Sequence, residues 1–220
     1  MIAERLAAVR QEIATAAQAA GRDPATITLV GVSKLQTATA AAAAVAAGLP
    51  DLGENYAQEL RDKARLVMGA RWHFVGPLQR NKVKYVVGVA QLVHSLDCIS
   101  LAEEIARRAA TQGIVQRCLL QVNVAAEPQK SGCWANELPA LVERCRALPA
   151  LELVGLMCIP PASDAEGARP HFRALAELAR AHALPELSMG MSGDFAVAIA
   201  EGATIVRIGT AIFGERRIKP

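Results

Sequence analysis

Lys34 closes a run of β-branched and apolar residues that starts at Ile27. A short apolar run of this kind, placed after the turn signal Gly21-Arg22-Asp23-Pro24, predicts a strand buried on both faces of a parallel sheet. Apolar walls withhold solvation from an ammonium group and therefore favour the neutral amine. A neutral amine can attack a carbonyl, which makes Lys34 a candidate for a Schiff base to an aldehyde cofactor or a keto substrate. The alternative is a solvated lysine that ends a strand.

Two glycine-containing segments near the carboxyl end could hold an anion. Gly190-Met191-Ser192-Gly193 and Gly209-Thr210 each follow a short apolar stretch. Glycines let backbone N–H groups approach an anion, the hydroxyl of Ser192 can donate a hydrogen bond, and a following helix would point its dipole at the site. The alternative is that Ser192 is a helix N-cap and that the glycines only form turns. Asp194 would repel a phosphate unless its carboxylate points away.

Arg207 lies between apolar neighbours in the stretch 204–208. A buried guanidinium needs an acceptor, and two acceptors fit the pattern. One is a carboxylate in a structural ion pair. The other is the nitrogen of a pyridine ring that spans from Lys34 to the two glycine-containing segments. Arginine keeps its proton, so it would leave such a nitrogen unprotonated and weaken the ring as an electron sink.

Eight strand-then-helix units position these residues, after an amphipathic helix from Ile2 to about Ala20. The strands are predicted at 27–34, 51–53, 72–76, 92–95, 115–124, 151–159, 186–189 and 204–208. Helices are predicted at 37–47, 57–67, 81–87, 100–111, 136–148, 170–182 and, after the segment 190–193, up to about 202, and the segment 209–214 starts a final turn. No linker interrupts the units, so we predict a single domain over 1–220 of the α/β class, a TIM-type (β/α)₈ barrel with an additional N-terminal helix. In such barrels the functional groups lie at the carboxyl ends of the strands, with phosphate beside the last two loops.

The composition describes an ordinary globular protein: 52% of the 220 residues are hydrophobic and the net charge is +3. That charge gives no broad basic field for nucleic acid. Five widely spaced cysteines indicate a reducing compartment, and the histidines and cysteines form no metal-ligand pattern. No apolar run approaches the roughly 18–20 residues that span a bilayer, and the N-terminus does not resemble a signal peptide. We expect a cytoplasmic monomer with no metal, no nucleic-acid partner and no membrane partner.

Five segments in order resemble the pyridoxal phosphate homeostasis proteins, which are single-domain relatives of the alanine racemase barrel of fold type III. The segments are Val30-Gly31-Val32-Ser33-Lys34, Gly53-Glu54-Asn55-Tyr56, Trp72-His73-Phe74-Val75-Gly76-Pro77-Leu78-Gln79-Arg80-Asn81-Lys82, Ser188-Met189-Gly190-Met191-Ser192 and Val206-Arg207-Ile208-Gly209-Thr210-Ala211-Ile212-Phe213-Gly214. The resemblance covers essentially the whole chain.

The resemblance implies that the chain binds pyridoxal 5'-phosphate (PLP). Lys34 would form the Schiff base, and Arg207 would meet the ring nitrogen. The other residues implied for the cofactor are those bordering the ring, Asn55, His73 and Met157, and those near the phosphate, Ser192, Gly193, Gly209 and Thr210. Proteins of this kind hold and supply PLP without robust turnover, so the implied partners are PLP itself and apo-enzymes that need it.

Two enzymatic functions remain as alternatives. An amino-acid racemase of low activity needs an acid or base on each face of the planar intermediate, and Tyr56 is the candidate for the second group. The racemases that this barrel resembles take that tyrosine from a further domain, and we expect none here because the chain stops at Pro220. A class I aldolase would use the same lysine and phosphate site but would carry no chromophore. Lys130 is either a second amine near the site or a solvated loop residue.

Overall fold

The computed structural model describes residues 1–215, which contain a closed barrel of eight parallel strands. Each strand pairs with the next in the chain, and the last pairs with the first. The strands are β1 (Thr28–Val32), β2 (Asp51–Glu54), β3 (Arg71–Phe74), β4 (Leu92–Leu96), β5 (Gln116–Gln121), β6 (Leu151–Met157), β7 (Glu186–Ser188) and β8 (Ile205–Ile208). The predicted fold class is confirmed.

Helices cover the outside of the barrel, because each connection must return the chain to start the next parallel strand. They are α1 (Ile2–Ala19), α2 (Ala38–Ala46), α3 (Ala57–Ala64), α4 (Ile99–Thr111), α5 (Leu138–Arg146), α6 (Ala165–Ala181), α7 (Phe195–Ala200) and α8 (Thr210–Phe213). Two 3₁₀ segments add to these, Pro24–Thr26 and Arg80–Tyr85. No helix within residues 1–215 is long and apolar enough to cross a membrane.

The additional N-terminal helix is present as predicted. Helix α1 buries one stripe of apolar side chains at the spacing of an amphipathic helix. The stripe consists of Leu6, Val9, Ile13 and Ala17. It packs against α2, α7 and α8, so the helix covers the side of the barrel where the chain closes on itself.

Two connections differ from the sequence prediction. The segment between β3 and β4 is a 3₁₀ helix over Arg80–Tyr85 instead of an α-helix over 81–87. Helix α6 begins at Ala165, before the predicted start at Pro170, because the Asp164 side chain accepts a hydrogen bond of 2.7 Å from the N–H of Gly167 and so caps the helix. Residues 216–220 of the predicted 1–220 domain lie outside the described part of the chain.

The core has two parts. The larger part fills the space between strands and helices. A smaller cluster lies inside the barrel and consists of Val30, Leu92, Leu119, Val154, Met157 and Ile205. Polar side chains also occupy the interior, among them His73, His94, Ser188 and Arg207, each less than 6% exposed. Buried polar groups need hydrogen-bond partners, so the partners of these side chains show which of their polar atoms remain available at the open end of the barrel.

Candidate functional site

A cavity of about 290 Å³ opens at the carboxyl ends of the strands, near the lower end of the roughly 300–1,000 Å³ typical of small-molecule sites. Seven of the nine residues that the sequence assigned to a site line this cavity: Lys34, Asn55, Ser192, Gly193, Arg207, Gly209 and Thr210. They come from the loops after β1, β2, β7 and β8, together with Arg207 of β8. Residues far apart in the sequence thus meet in one place.

A tight turn presents Lys34 to the cavity. The N–H of Gln36 donates to the Ser33 carbonyl at 3.0 Å, which closes a four-residue turn around Lys34 and Leu35. Leu35 has a φ of 62°, a left-handed conformation that such turns usually reserve for glycine. The N–H of Leu35 donates to Oε1 of Glu59 at 2.9 Å, so helix α3 holds this strained residue in place. Lys34 is half-buried at the turn.

A cluster of Glu54, Glu59 and Lys63, the acid–lysine cluster, holds the other side of the same turn; Glu54 and Lys63 are buried and Glu59 is partly exposed. Lys63 Nζ donates to the Ser33 carbonyl at 2.6 Å and to Oε1 of Glu54 at 2.7 Å. The hydroxyl of Ser33 donates to the same Glu54 oxygen at 2.6 Å. Both the backbone and the side chain of the residue before Lys34 are therefore fixed by charged groups.

The two charges behind the turn are almost completely removed from water. The side chains of Glu54 and Lys63 are 0% and 7% exposed. Burial raises the pKa of Glu54 to about 7, although the charge and hydrogen bond of Lys63 oppose this rise. Because each charge loses its hydration, a buried pair of this kind adds little net stability. Here the pair holds the Lys34 turn in place.

Asn55 contributes a buried acceptor to the cavity wall. Its Oδ1 atom is buried and has no hydrogen-bond partner within residues 1–215. The backbone of Asn55 lies against Gly76, where an added Cβ would overlap the carbonyl oxygen of Asn55. Gly76 is therefore required for the close approach of the two loops that places this amide.

The loop after β7 leaves two backbone donors available. Asp194 Oδ1 accepts from the N–H of Met191 at 2.6 Å, so its carboxylate is turned back onto the loop. The N–H groups of Ser192 and Gly193 have no acceptor in the part of the chain that the structure describes. Asp194, and not Ser192, occupies the N-cap of α7, so the alternative that Ser192 is a helix cap is wrong. Because α7 has only six residues, an anion at this loop would be held by the N–H groups of Ser192 and Gly193 more than by the dipole of the helix.

Gly209 and Thr210 form a second set of donors at the end of β8. A Cβ on Gly209 would approach the Val32 carbonyl oxygen to 3.1 Å, so glycine allows β8 and β1 to end side by side. Thr210 begins the four-residue helix α8 and is exposed at the cavity. The first N–H groups of a helix have no partner within it. This end of the barrel can therefore hold an anion between two loops.

Arg207 is the buried charge of the site. Its Nη1 donates to Oγ of Ser188 at 2.6 Å, and its Nη2 donates to the carbonyl of Cys158 at 3.0 Å. Within residues 1–215 no carboxylate lies at ion-pair distance from it, which argues against a structural ion pair. Burial lowers the pKa of the guanidinium, yet a group with so high an ordinary pKa stays charged. Arg207 thus places a fixed positive charge at the cavity, and some of its N–H groups are not used by Ser188 or Cys158.

The structure does not bring His73 and Met157 into the cavity wall. Met157 packs in the interior cluster among aliphatic side chains. His73 makes hydrogen bonds to His94 and Asp51 inside the barrel. Tyr56 is half exposed and does not line the cavity. Lys130 Nζ donates to the Pro160 carbonyl at 3.0 Å.

Comparison with known proteins identifies the family. The family model described as alanine racemase, N-terminal domain, matches residues 5–217. A curated relative from Pseudomonas aeruginosa, named pyridoxal phosphate homeostasis protein, is 47% identical and covers 98% of this chain and 96% of its own. A relative of the same name from Aquifex aeolicus is 46% identical and covers 97% of this chain and 98% of its own. The chain belongs to the pyridoxal phosphate homeostasis protein family.

Solved structures agree with this assignment. PipY of Synechococcus elongatus without PLP has a TM-score of 0.86 at 35% identity, covering 97% of this chain and 100% of PipY. PipY with PLP bound has a TM-score of 0.81 at 34% identity with the same coverage. An alanine racemase from Corynebacterium glutamicum has a TM-score of 0.69 at 19% identity over 62% of its chain, which shows the shared fold alone. The predicted resemblance and the alanine racemase-like barrel are confirmed.

Sequence reasoning missed the residues that support the site of this family member. Gln36, Ile159 and Phe213 line the cavity without having been singled out. The acid–lysine cluster was also missed, although Glu54 lies in a quoted motif and the four-residue spacing of Glu59 and Lys63 on a helix indicates an ion pair. No group of three or more potential metal ligands occurs within residues 1–215.

Proposed function

We propose that this chain binds PLP in the cavity at the mouth of the barrel, with the Lys34 amine attached to the aldehyde carbon, and that it holds and releases the cofactor without robust turnover of amino acids. The PLP-bound structure of the relative PipY and the name that the curated relatives share support this proposal. The observation that carries it in this chain is the buried guanidinium of Arg207 at the cavity, held by a hydroxyl and a carbonyl and by no carboxylate within residues 1–215.

The residues of the cavity fit the parts of PLP. A phosphate needs several donors, which the Ser192 and Gly193 N–H groups, the Ser192 hydroxyl and the start of α8 supply. A pyridine nitrogen is an acceptor and suits Arg207. The unpartnered amide oxygen of Asn55 is available to a donor on the ring or on the attached lysine. In this proposal His73 and Met157 act from inside the barrel and do not touch the ring.

The chemistry that bound PLP supplies is electron withdrawal from a carbon attached through its aldehyde. Withdrawal is strongest when the ring nitrogen carries a proton. Arg207 is a donor that keeps its proton, so it leaves the nitrogen unprotonated. The site therefore favours holding the cofactor over using it.

The racemase alternative requires a second acid or base. The described residues that line the cavity include no tyrosine, histidine, cysteine, aspartate or glutamate. Tyr56, the candidate for this role, does not line the cavity. The amine of Lys34 can serve one face only, so we propose at most slow racemisation. An aldolase would bind a sugar phosphate, which has no ring nitrogen to accept a hydrogen bond from Arg207.

The test is an equilibrium titration of the purified protein with PLP, followed by absorbance. Wild-type protein should acquire a band near ~420 nm, as a protonated Schiff base of the cofactor does. Lys34→Ala should lack the band, while Lys84→Ala, which removes an exposed lysine on another face, should keep it. The aldolase would be favoured if a sugar phosphate prevents formation of the band and the protein also cleaves a carbon–carbon bond of that sugar phosphate. Conversion of an L- to a D-amino acid at roughly 1 s⁻¹ or faster would establish a racemase instead.

The proposal includes a cytoplasmic, monomeric protein that passes PLP to apo-enzymes. The test measures activation of an apo-enzyme by the PLP-loaded protein in two arrangements: with a dialysis membrane between the two proteins, and with both proteins in one solution. The comparison distinguishes transfer through solution from transfer in a complex. Faster activation in direct contact supports a complex, and equal rates contradict it.

A further inference from the structure

A line of hydrogen-bonded polar side chains runs through the inside of the barrel and ends at Arg207. From Arg207 Nη1 it passes to Ser188 Oγ at 2.6 Å and from Ser188 Oγ to His94 Nδ1 at 2.8 Å. It continues from His94 Nε2 to His73 Nδ1 at 2.9 Å and from His73 Nε2 to Asp51 Oδ1 at 3.2 Å. We call Asp51, His73, His94 and Ser188 the interior line.

The interior line crosses from one end of the barrel to the other. Asp51 is the first residue of β2, and Ser188 is the last residue of β7. In parallel strands these positions lie at opposite ends of the sheet. The contact between His94 on β4 and Ser188 spans the interior, because these strands are three positions apart around the barrel. Its members are 0% to 8% exposed, and none of them touches the cavity.

Only one arrangement of hydrogen atoms satisfies every member when both histidines are neutral. Arginine can only donate, so Ser188 Oγ accepts from Arg207 and gives its own hydrogen to His94 Nδ1. At the far end the Asp51 carboxylate can only accept, so His73 carries its hydrogen on Nε2. His73 Nδ1 then accepts from the Nε2–H of His94. Every donor points away from Arg207 and towards Asp51.

Asp51 is a fixed negative end for this arrangement. Arg71 holds its carboxylate by two hydrogen bonds, from Nε at 2.8 Å and from Nη2 at 2.5 Å. Burial alone would raise the pKa of Asp51, but the hydrogen bonds from His73 and Arg71 outweigh it and hold the pKa below its ordinary value. A charged acceptor at one end and a charged donor at the other polarise all the bonds between them in the same direction.

An additional proton on the line would break this pattern. If His94 carried hydrogens on both nitrogens, Ser188 Oγ would face two donors and its own hydrogen would have no acceptor within residues 1–215. The charged and titratable groups that bear on His94 are His73 on β3 and Arg207 on β8. Asp51 on β2 reaches it only through His73. Burial first, and then the electrostatic effects of His73 and of the Arg207 cation, lower the pKa of His94 well below its ordinary value of 6.5.

We propose that the interior line positions Arg207: His94, in a single neutral tautomer with its hydrogen on Nε2, orients the Ser188 hydroxyl, and that hydroxyl fixes the guanidinium at the cavity. His94 and Ser188 are positioning residues, because neither touches the cavity. The identity of the group that Arg207 meets rests on the proposed function, whereas the line itself does not. The line also links the cavity to Asp51 at the opposite end of the barrel.

The first test uses the protein without cofactor and therefore does not depend on PLP binding. Nitrogen-15 NMR of the histidine side chains distinguishes a hydrogen on Nε2 from one on Nδ1. The proposal predicts Nε2–H for His94 and His73 near neutral pH, with His94 unchanged as the pH falls to about 5.5, one unit below its ordinary pKa. A hydrogen on His94 Nδ1, or protonation of His94 near 6.5, would overturn the proposed direction of the line.

The second test measures positioning through PLP binding. Ser188→Ala removes the hydroxyl that holds Arg207, and its matched control is Ser95→Ala on β4, whose buried hydroxyl has no partner within residues 1–215. Ser188→Ala should weaken PLP binding roughly tenfold and shift the pH profile of its absorbance, and Ser95→Ala should change neither. Wild-type PLP affinity and an unchanged profile in Ser188→Ala would overturn the positioning role. Absence of PLP binding by the wild-type protein would contradict the proposed function and leave the NMR result to decide on the line.

Discussion

Ser188→Ala and Ser95→Ala remove the same atom from two buried serines but should differ in their effect on stability. Ser188 Oγ accepts from the charged Arg207 and donates to His94. Hydrogen bonds to charged groups contribute roughly 1.5–3 kcal/mol and neutral ones roughly 0.5–1.5 kcal/mol. Loss of both should lower the free energy of unfolding by about 2–4.5 kcal/mol. Ser95 Oγ has no partner within residues 1–215, so its removal should leave stability unchanged or raise it by up to about 1 kcal/mol.

Urea unfolding followed by circular dichroism measures both free energies, and the slope of each curve shows whether the unfolded states are comparable. For a chain of this length, 2–4.5 kcal/mol corresponds to a fall in Tm of about 4–18 °C. The measurement is made without PLP, so differences in cofactor affinity do not enter. Equal effects of the two substitutions, or a larger loss in Ser95→Ala, would refute the assignment of Ser188 to a satisfied hydrogen-bond line.

Three further predictions concern the elements around the site. Lys63→Met should cost up to about 3–5 kcal/mol above pH 7, because Glu54 then loses the cation that favours its ionised form and must be buried unpaired or take up a proton. Adding Glu54→Gln should recover most of the loss in the same urea assay. Recovery of none of it would contradict the proposed pairing. Gly76→Ala should displace Asn55 and weaken PLP binding at least roughly tenfold by absorbance titration, since the new Cβ overlaps the Asn55 backbone; wild-type affinity would show that the loop is not constrained. The pKa of His94 is lower in the folded than in the unfolded chain, so the unfolded chain binds the extra proton more readily. The contribution of neutral His94 to stability is therefore fully present above pH 6.5, and the free energy of unfolding should fall by up to about 1.4 kcal/mol per pH unit below that pH. His94→Gln should remove that component of the slope, and an unchanged slope would contradict it.

The fold was predictable because its signals are local. The run that ends in Lys34 shows a buried strand by composition alone, and repetition of strand and helix indicates a barrel without knowledge of any contact. The carboxyl ends of parallel strands share one end of a barrel, which is why Lys34, Ser192 and Thr210 could be placed together before the structure was known. Arg207 was identified because an arginine between apolar neighbours needs a partner.

The interior of the barrel was not predictable in the same way. His73 and His94 meet across 21 residues, and His94 and Ser188 across 94. Which side chains share a level inside a barrel depends on the stagger between strands, and sequence alone does not determine it. His73 was therefore assigned to the ring, whereas it bonds Asp51 inside the barrel. The N-cap of α7 stayed open for a local reason, because serine and aspartate are both favoured at that position. Only the structure shows that Asp194 occupies it, with its carboxylate bonded to the N–H of Met191 and not to the helix.

Reduction of the PLP-loaded protein with borohydride, followed by proteolysis and mass spectrometry, tests directly whether Lys34 holds the cofactor. Reduction converts the carbon–nitrogen bond between PLP and an amine into a stable one and so marks the lysine that holds the cofactor. The modified peptide should contain Lys34, and Lys34→Ala should yield no stoichiometric adduct. A stoichiometric adduct on another lysine, or an adduct retained in Lys34→Ala, would contradict this assignment.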